Sequence, residues 1–178
     1  MKIDFDEKLS PHFTVGEMLR SGTAIRLGIK NVPEEHPEDG LTNEEVVENL
    51  RLLAVKVLEP LRQRVGRVIV TSGYRCRVLN RAVGGVATSQ HLCGQAADIH
   101  VTGNEMCRKY ARIIRQLTPF DQLILEPAGS LQKRWIHVSY RPKGRGSVGV
   151  SGPKTKWMLP IRKARHYQEG PIGGVHHN

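Results

Sequence analysis

This sequence has little of what would let it cross a membrane or be stapled by disulfides. No apolar run approaches the ~20 residues that a spanning helix needs, which excludes a helical membrane span. There are only three cysteines, Cys76, Cys93 and Cys107, an odd number with no CxxC pair. A disulfide scaffold is therefore not expected, and reduced thiols are. The opening MKIDFDEKLS has neither a basic n-region nor an apolar h-region, so no ordinary secretory signal is expected. Aromatic residues make up 5% of the chain and are not interleaved with basic ones. With no nucleic-acid-binding motif beside them, nucleic acid is set aside as a partner.

Acidic residues are in the minority, 17 against 27 Lys and Arg, for a net charge of +10. The excess is uneven. From Pro142 to Asn178 there are seven basic residues and one acidic, so +6 of the charge lies in that stretch. It reads as a basic C-terminal tail over 142–178, either simply solvated or holding the protein near a polyanion, for which charge alone does not separate nucleic acid from an anionic cell envelope. The 178 residues, 39% hydrophobic and 25% charged, otherwise suit one soluble domain with its own core.

Local patterns give the elements. Thr14 and Glu17 form a capping box for a short helix. Ser21 to Asp39, broken by Gly28, Pro33 and Pro37, reads as loop with at most one short turn. Thr42 or Asn43 caps a helix whose apolar positions Val46, Val47, Leu50, Leu53, Ala54, Val57 and Leu61 recur at three and four, and Pro60 kinks or ends it. Arg67–Thr71 and Ala96–Val101 read as strands, with a short helix from Cys76 to Ala82 between them. A helix runs from Gly103 to Leu117. Gln122–Glu126 and Trp135–Tyr140 read as two further strands joined by a loop containing Gly129. The expected fold is α+β, a small, mainly antiparallel sheet with flanking helices.

The chemistry concentrates in three segments, Ser89-Gln90-His91-Leu92-Cys93-Gly94-Gln95-Ala96-Ala97-Asp98, then Asp121 to Glu126, then Trp135-Ile136-His137-Val138-Ser139. A lone histidine is more often structural than a ligand. Here Gly94 allows a tight turn from the His91 loop into the strand of Asp98, so an imidazole and a carboxylate can converge. His137 supplies a third donor. Two nitrogens and one oxygen suit zinc, with the fourth tetrahedral position left to water, which is a catalytic pattern. His100, two residues after Asp98 on the same strand face, competes as a ligand, a supporting partner or a pocket wall.

The pattern SxHxxGxAxD followed by WxHVS resembles the zinc D-alanyl-D-alanine carboxypeptidase family, within the lysostaphin-like and hedgehog-like zinc peptidases. LSPHFTVGEML, VLEPLR, TSGYR, LNRAVGG and FDQLILE match in the same order, so the resemblance covers about Leu9 to Arg141. It implies a peptidase domain over 1–141 with a hedgehog/D-Ala-D-Ala-peptidase-like fold. It also implies Zn2+ held by His91, Asp98 and His137, an oxyanion-stabilising Arg75, and substrate contacts from Ser89 and Tyr74. The implied substrates are peptidoglycan stem peptides, cut by a carboxypeptidase or an endopeptidase.

One departure matters. Relatives often place a carboxylate or histidine three residues before the last zinc histidine, as general base. Arg134 stands there and cannot accept a proton. Glu126, at the end of the neighbouring strand, is taken as the base, against the alternative of an edge-strand glutamate in solvent. If the base is absent, the chain becomes a non-catalytic zinc-containing wall-binding module. A wall substrate without a visible export signal points to synthesis in the cytoplasm and action on the cell wall, as in a phage lysis or particle protein or after an unusual export route.

Overall fold

The computed structural model describes residues 1–126, 134–142, 147–150 and 157–159. The loop containing Gly129 and the rest of the basic tail lie outside the described residues. The chain opens with a small hairpin, β1 (Lys8–Ser10) and β2 (Phe13–Thr14), followed by α1 (Val15–Leu19) and α2 (Gly22–Leu27). Thr14 caps α1 with the expected box: its Oγ1 accepts from the Glu17 N–H, and the Glu17 carboxylate accepts from the Thr14 N–H. Helix α2 and two 3-10 turns, Pro33–Glu35 and Pro37–Asp39, occupy the stretch read as loop. Of α2 only Ala24 is buried, so no apolar period marks it in the sequence.

Thr42 is the N-cap of α3 (Asn43–Leu53), again in a capping box, with Glu45. The helical path continues through a π-helical turn, Ala54–Leu58, into α4 (Glu59–Val65). Pro60 does not end it. The proline falls in the first turn of α4, and the wider turn immediately before it accommodates a residue that has no N–H to donate. After β3 (Val70–Ser72) and α5 (Arg77–Ala82), a 3-10 turn (Gln90–Cys93) leads into β4 (Ala96–Val101). Helix α6 (Gly103–Leu117) turns Cys107, Tyr110 and Ile114 inward. Strands β5 (Gln122–Glu126), β6 (Arg134–Ser139), β7 (Ser147–Val150) and β8 (Trp157–Leu159) follow.

The main sheet has the order β3-β4-β6-β5-β7-β8, antiparallel throughout except for the parallel β5–β7 pair. It is the small, mainly antiparallel sheet of an α+β domain. Strands β7 and β8 lie in the stretch read from sequence as tail, so the sheet runs on past residue 141.

Alternation divides the two faces of the sheet. Ala97, Ile99, Leu123, Ile136 and Val138 are buried in one core with residues of α3, α4 and α6. Register puts Asp98 opposite His137 and His137 opposite Ile124, which places a row of side chains on the other face. The helices thus back the sheet, and its chemistry-bearing face stays open.

A second polar cluster ties the first hairpin to the helical layer. Glu59 is 6% exposed; it accepts from Ser10 Oγ at 2.8 Å and from the His12 N–H at 3.3 Å, and its other oxygen pairs with His12 Nδ1. Burial works against the Glu59 charge, but the bonds from His12 and Ser10 outweigh it and hold the carboxyl below its ordinary value. A depressed carboxyl contributes stability that is present above its unfolded pKa of ~4.3 and is lost as pH falls through the lower folded value. Thermal unfolding followed from pH 7 to pH 3 should show this loss. Ser10→Ala, which removes one bond to a charged group, should cost ~1.5–3 kcal/mol at neutral pH.

Candidate metal centre

His91 sits in the 3-10 turn, which Ser89 opens by accepting the His91 N–H on its Oγ at 3.3 Å. The turn closes on Gly94 in the left-handed region (φ 73°), where a side chain would be strained and would also crowd Val46. The chain then enters β4, which carries Asp98. The His91 imidazole is 1% exposed, and its Nδ1–H donates to the Gly73 carbonyl at 2.6 Å. That bond fixes the tautomer and leaves the Nε2 lone pair facing the site. Gly73 has its own constraint, because a Cβ there would lie 2.2 Å from the Met18 carbonyl oxygen.

Three donor atoms converge. His91 Nε2 lies 3.2 Å from Asp98 Oδ1 and 3.2 Å from His137 Nδ1, and His137 Nδ1 lies 3.1 Å from Asp98 Oδ1. A tetrahedral ion with ligand bonds of about 2.0–2.1 Å spaces its donors about 3.3–3.4 Å apart, so this triangle is close to one face of such a tetrahedron. The donor set fits zinc in chemistry and in spacing. Among the described residues it is the one group of three or more such donors close enough to hold a metal.

The electrostatics agree. Burial pushes the His91 imidazole down, toward the neutral form that ligates, although Asp98 works the other way. For Asp98, burial opposes the charge, but His91 and His137 outweigh it and hold the carboxyl well below the carboxylate range.

The centre opens into a cleft of about 510 Å³, lined among others by Arg75, Ser89, His91, Glu126 and His137. Burial lowers the Arg75 guanidinium from its ordinary value, and Asp98 works against that. Its Nε is buried with no hydrogen-bond partner among the described residues. Glu126 pairs with Trp135 and Ile124 with His137, so Glu126 is on the same sheet face as His137, one row along. That places it in the cleft and not on the far face.

Two other residues behave differently from expectation. Tyr74 is 1% exposed, does not line the cleft, and lies in the core cluster, where burial pushes its phenol up. The strand exit that carries Arg75 into the cleft turns Tyr74 inward, so the structure does not bring it to substrate. His100 is exposed and belongs neither to the donor group nor to the cleft lining.

Sequence reasoning gave no role to three further site residues: Gln90 and Asp121, which fall inside segments named above, and Arg141. Asp121 is fully buried, accepts from Gln90 Nε2 at 2.9 Å, and pairs with Arg141 Nε at 3.1 Å. The available signal was an acidic residue just before β5 and an arginine just past β6, two strands expected to be neighbours.

Three protein donors at an open cleft define a mononuclear metal centre of the catalytic type. The family model for peptidase M15 matches residues 11–139, well over half of the chain, and spans all three donors. The chain belongs to the M15 peptidase family, whose members are zinc-dependent, and is thereby a metallopeptidase. No curated protein sequence matches it. No helix among the described residues is long and apolar enough to cross a membrane.

Proposed function

We propose that the chain is a zinc peptidase that hydrolyses peptide bonds in bacterial peptidoglycan stem peptides, as a D-Ala-D-Ala carboxypeptidase or an endopeptidase. The observation that carries this is the donor triangle of His91, Asp98 and His137 opening into one cleft with Arg75 and Glu126. His91 Nε2, Asp98 Oδ1 and His137 Nδ1 would hold a zinc ion, which would supply the Lewis acidity that activates water and polarises a carbonyl.

The chain's own groups do the rest. The Glu126 carboxylate takes a proton from the attacking water and returns it to the leaving amine. Arg75, cationic and with a buried Nε–H unpartnered among the described residues, donates to the oxygen on which negative charge develops. Ser89 holds the turn that sets His91. The basic residues beyond Pro142 add attraction to an anionic wall.

The test is incubation of zinc-loaded protein with purified muropeptides, read by mass spectrometry. Loss of a terminal alanine marks a carboxypeptidase, and parting of a crosslinked dimer marks an endopeptidase. Intact muropeptides with zinc bound would favour the non-catalytic wall-binding module. Arg75→Lys keeps the charge and loses the planar fork. It should lower turnover by ~100-fold, as for loss of one oxyanion donor, with zinc content by elemental analysis unchanged.

A further inference from the structure

The cleft holds a second guanidinium that the hydrolytic mechanism does not use. Arg141 follows β6 and lines the cleft with its side chain 41% exposed. Its Nε edge is set against Asp121, whose side chain is 0% exposed, at 3.1 Å. Asp121 is itself fixed: its N–H donates to the Ser139 carbonyl at 2.7 Å, and its Oδ2 accepts from Gln90 Nε2 at 2.9 Å. Gln90 adjoins the metal donor His91. A surface arginine on a flexible stem has no such support. This one is ion-paired, without a hydrogen bond at its Nε among the described residues, to a fully buried carboxylate just before β5, which the turn that carries His91 also holds.

The register locates it. Ser139 is two residues along β6 from His137, and Arg141 is two further, on the side of the metal row opposite Glu126. Adjacent rows on one face are about 7 Å apart. An extended peptide spans ~3.3–3.6 Å per residue, so a group held two rows from the donors lies within about four residues of the bond being cut. A planar guanidinium braced on one edge recognises a carboxylate bidentately.

Building on the peptidase reading above, we infer that Arg141, positioned by Asp121 and Gln90, is the cleft's anchor for a carboxylate of the bound peptide. That carboxylate is either the chain terminus or an acidic side chain within about four residues of the scissile bond. Arg141 is a specificity-determining residue; Asp121 and Gln90 are positioning residues that act through it.

The experiment uses the zinc-loaded full chain and three versions of an acylated stem peptide: free acid, C-terminal amide, and side-chain amide at its acidic residue. The parent protein should prefer the free acid over one of the two amides by about 10- to 100-fold in kcat/KM, the value of a charge-assisted bond. Which amide suffers identifies the source of the carboxylate. Arg141→Gln should erase that preference by raising KM for the free acid, with kcat, the rate on the disfavoured amide and zinc content little changed. Arg141→Lys should recover part of it. Equal preference in the parent and Arg141→Gln overturns the anchor. So does equal loss on all three peptides with a lowered Tm, which would make the Asp121 pair purely structural. If the parent cleaves none of the peptides, the peptidase reading fails by itself. The uncleaved peptides then serve as ligands in an NMR titration, and the anchor stands or falls on whether Arg141→Gln weakens the free acid's Kd by about tenfold or more.

Discussion

His91→Ala and His137→Ala should each lose zinc and all measurable peptidase activity together. The donors form a nearly equilateral triangle with edges of 3.1–3.2 Å, and removing either imidazole leaves one nitrogen and one carboxylate oxygen. Two protein donors fall below the three that a catalytic zinc site keeps. The expected readings are about one zinc per chain in the parent, by the three-ligand pattern, and a small fraction of that in either variant. His91→Ala carries a further cost, since the ring is 1% exposed and donates to the Gly73 carbonyl. Its Tm should therefore drop more than that of His137→Ala, whose side chain is 14% exposed. His100→Ala is the control. It is exposed, lies on the same strand face, and should leave zinc and turnover at parental levels. Full zinc in both ligand variants would move the metal away from this triangle.

That site was legible because its parts are local. Gly94 makes the turn from His91 into β4, and four residues later Asp98 joins the same donor group; both follow from spacing and backbone freedom. His137 came from a separate strand, and the WxHVS pattern supplied it. The amphipathic face from Val46 to Leu61 was readable for the same reason: a period of three and four survives even across the π-helical turn. Helix α2 was not readable because burying one residue leaves no period. The β1–β2 hairpin is only a few residues long, and its hold on α4 rests on Glu59, a contact between distant parts of the chain. Tyr74 shows the limit of motif reading. It sits beside a cleft residue in the sequence, yet past the end of β3 Tyr74 enters the core while Arg75 lines the cleft. Asp121, Gln90 and Arg141 escaped because each belongs to a different segment and only strand pairing brings them together.

Register also fixes the place of Glu126, which composition could not. A one-residue slip between β5 and β6 would carry its carboxylate to the core face. The observed pairing of Leu125 with Ile136 and Glu126 with Trp135 keeps Leu125 on the core side and Glu126 in the cleft. Arg134, three residues before His137, cannot accept a proton, so the proposed mechanism assigns that work to Glu126. Glu126→Gln retains the shape and one acceptor oxygen and removes only the basicity. General-base assistance is worth ~10²–10⁴-fold, so kcat should fall by at least ~100-fold. KM and zinc content should stay close to the parent's, because neither the donor triangle nor the Arg141 network changes. This pattern separates Glu126 from Arg141, whose loss appears in KM, and from His91, whose loss appears in metal content. A Glu126→Gln variant with parental kcat would remove it from catalysis and leave the proton to another group. A fall matched by loss of zinc would mean that Glu126 supports the metal site and not the proton transfer.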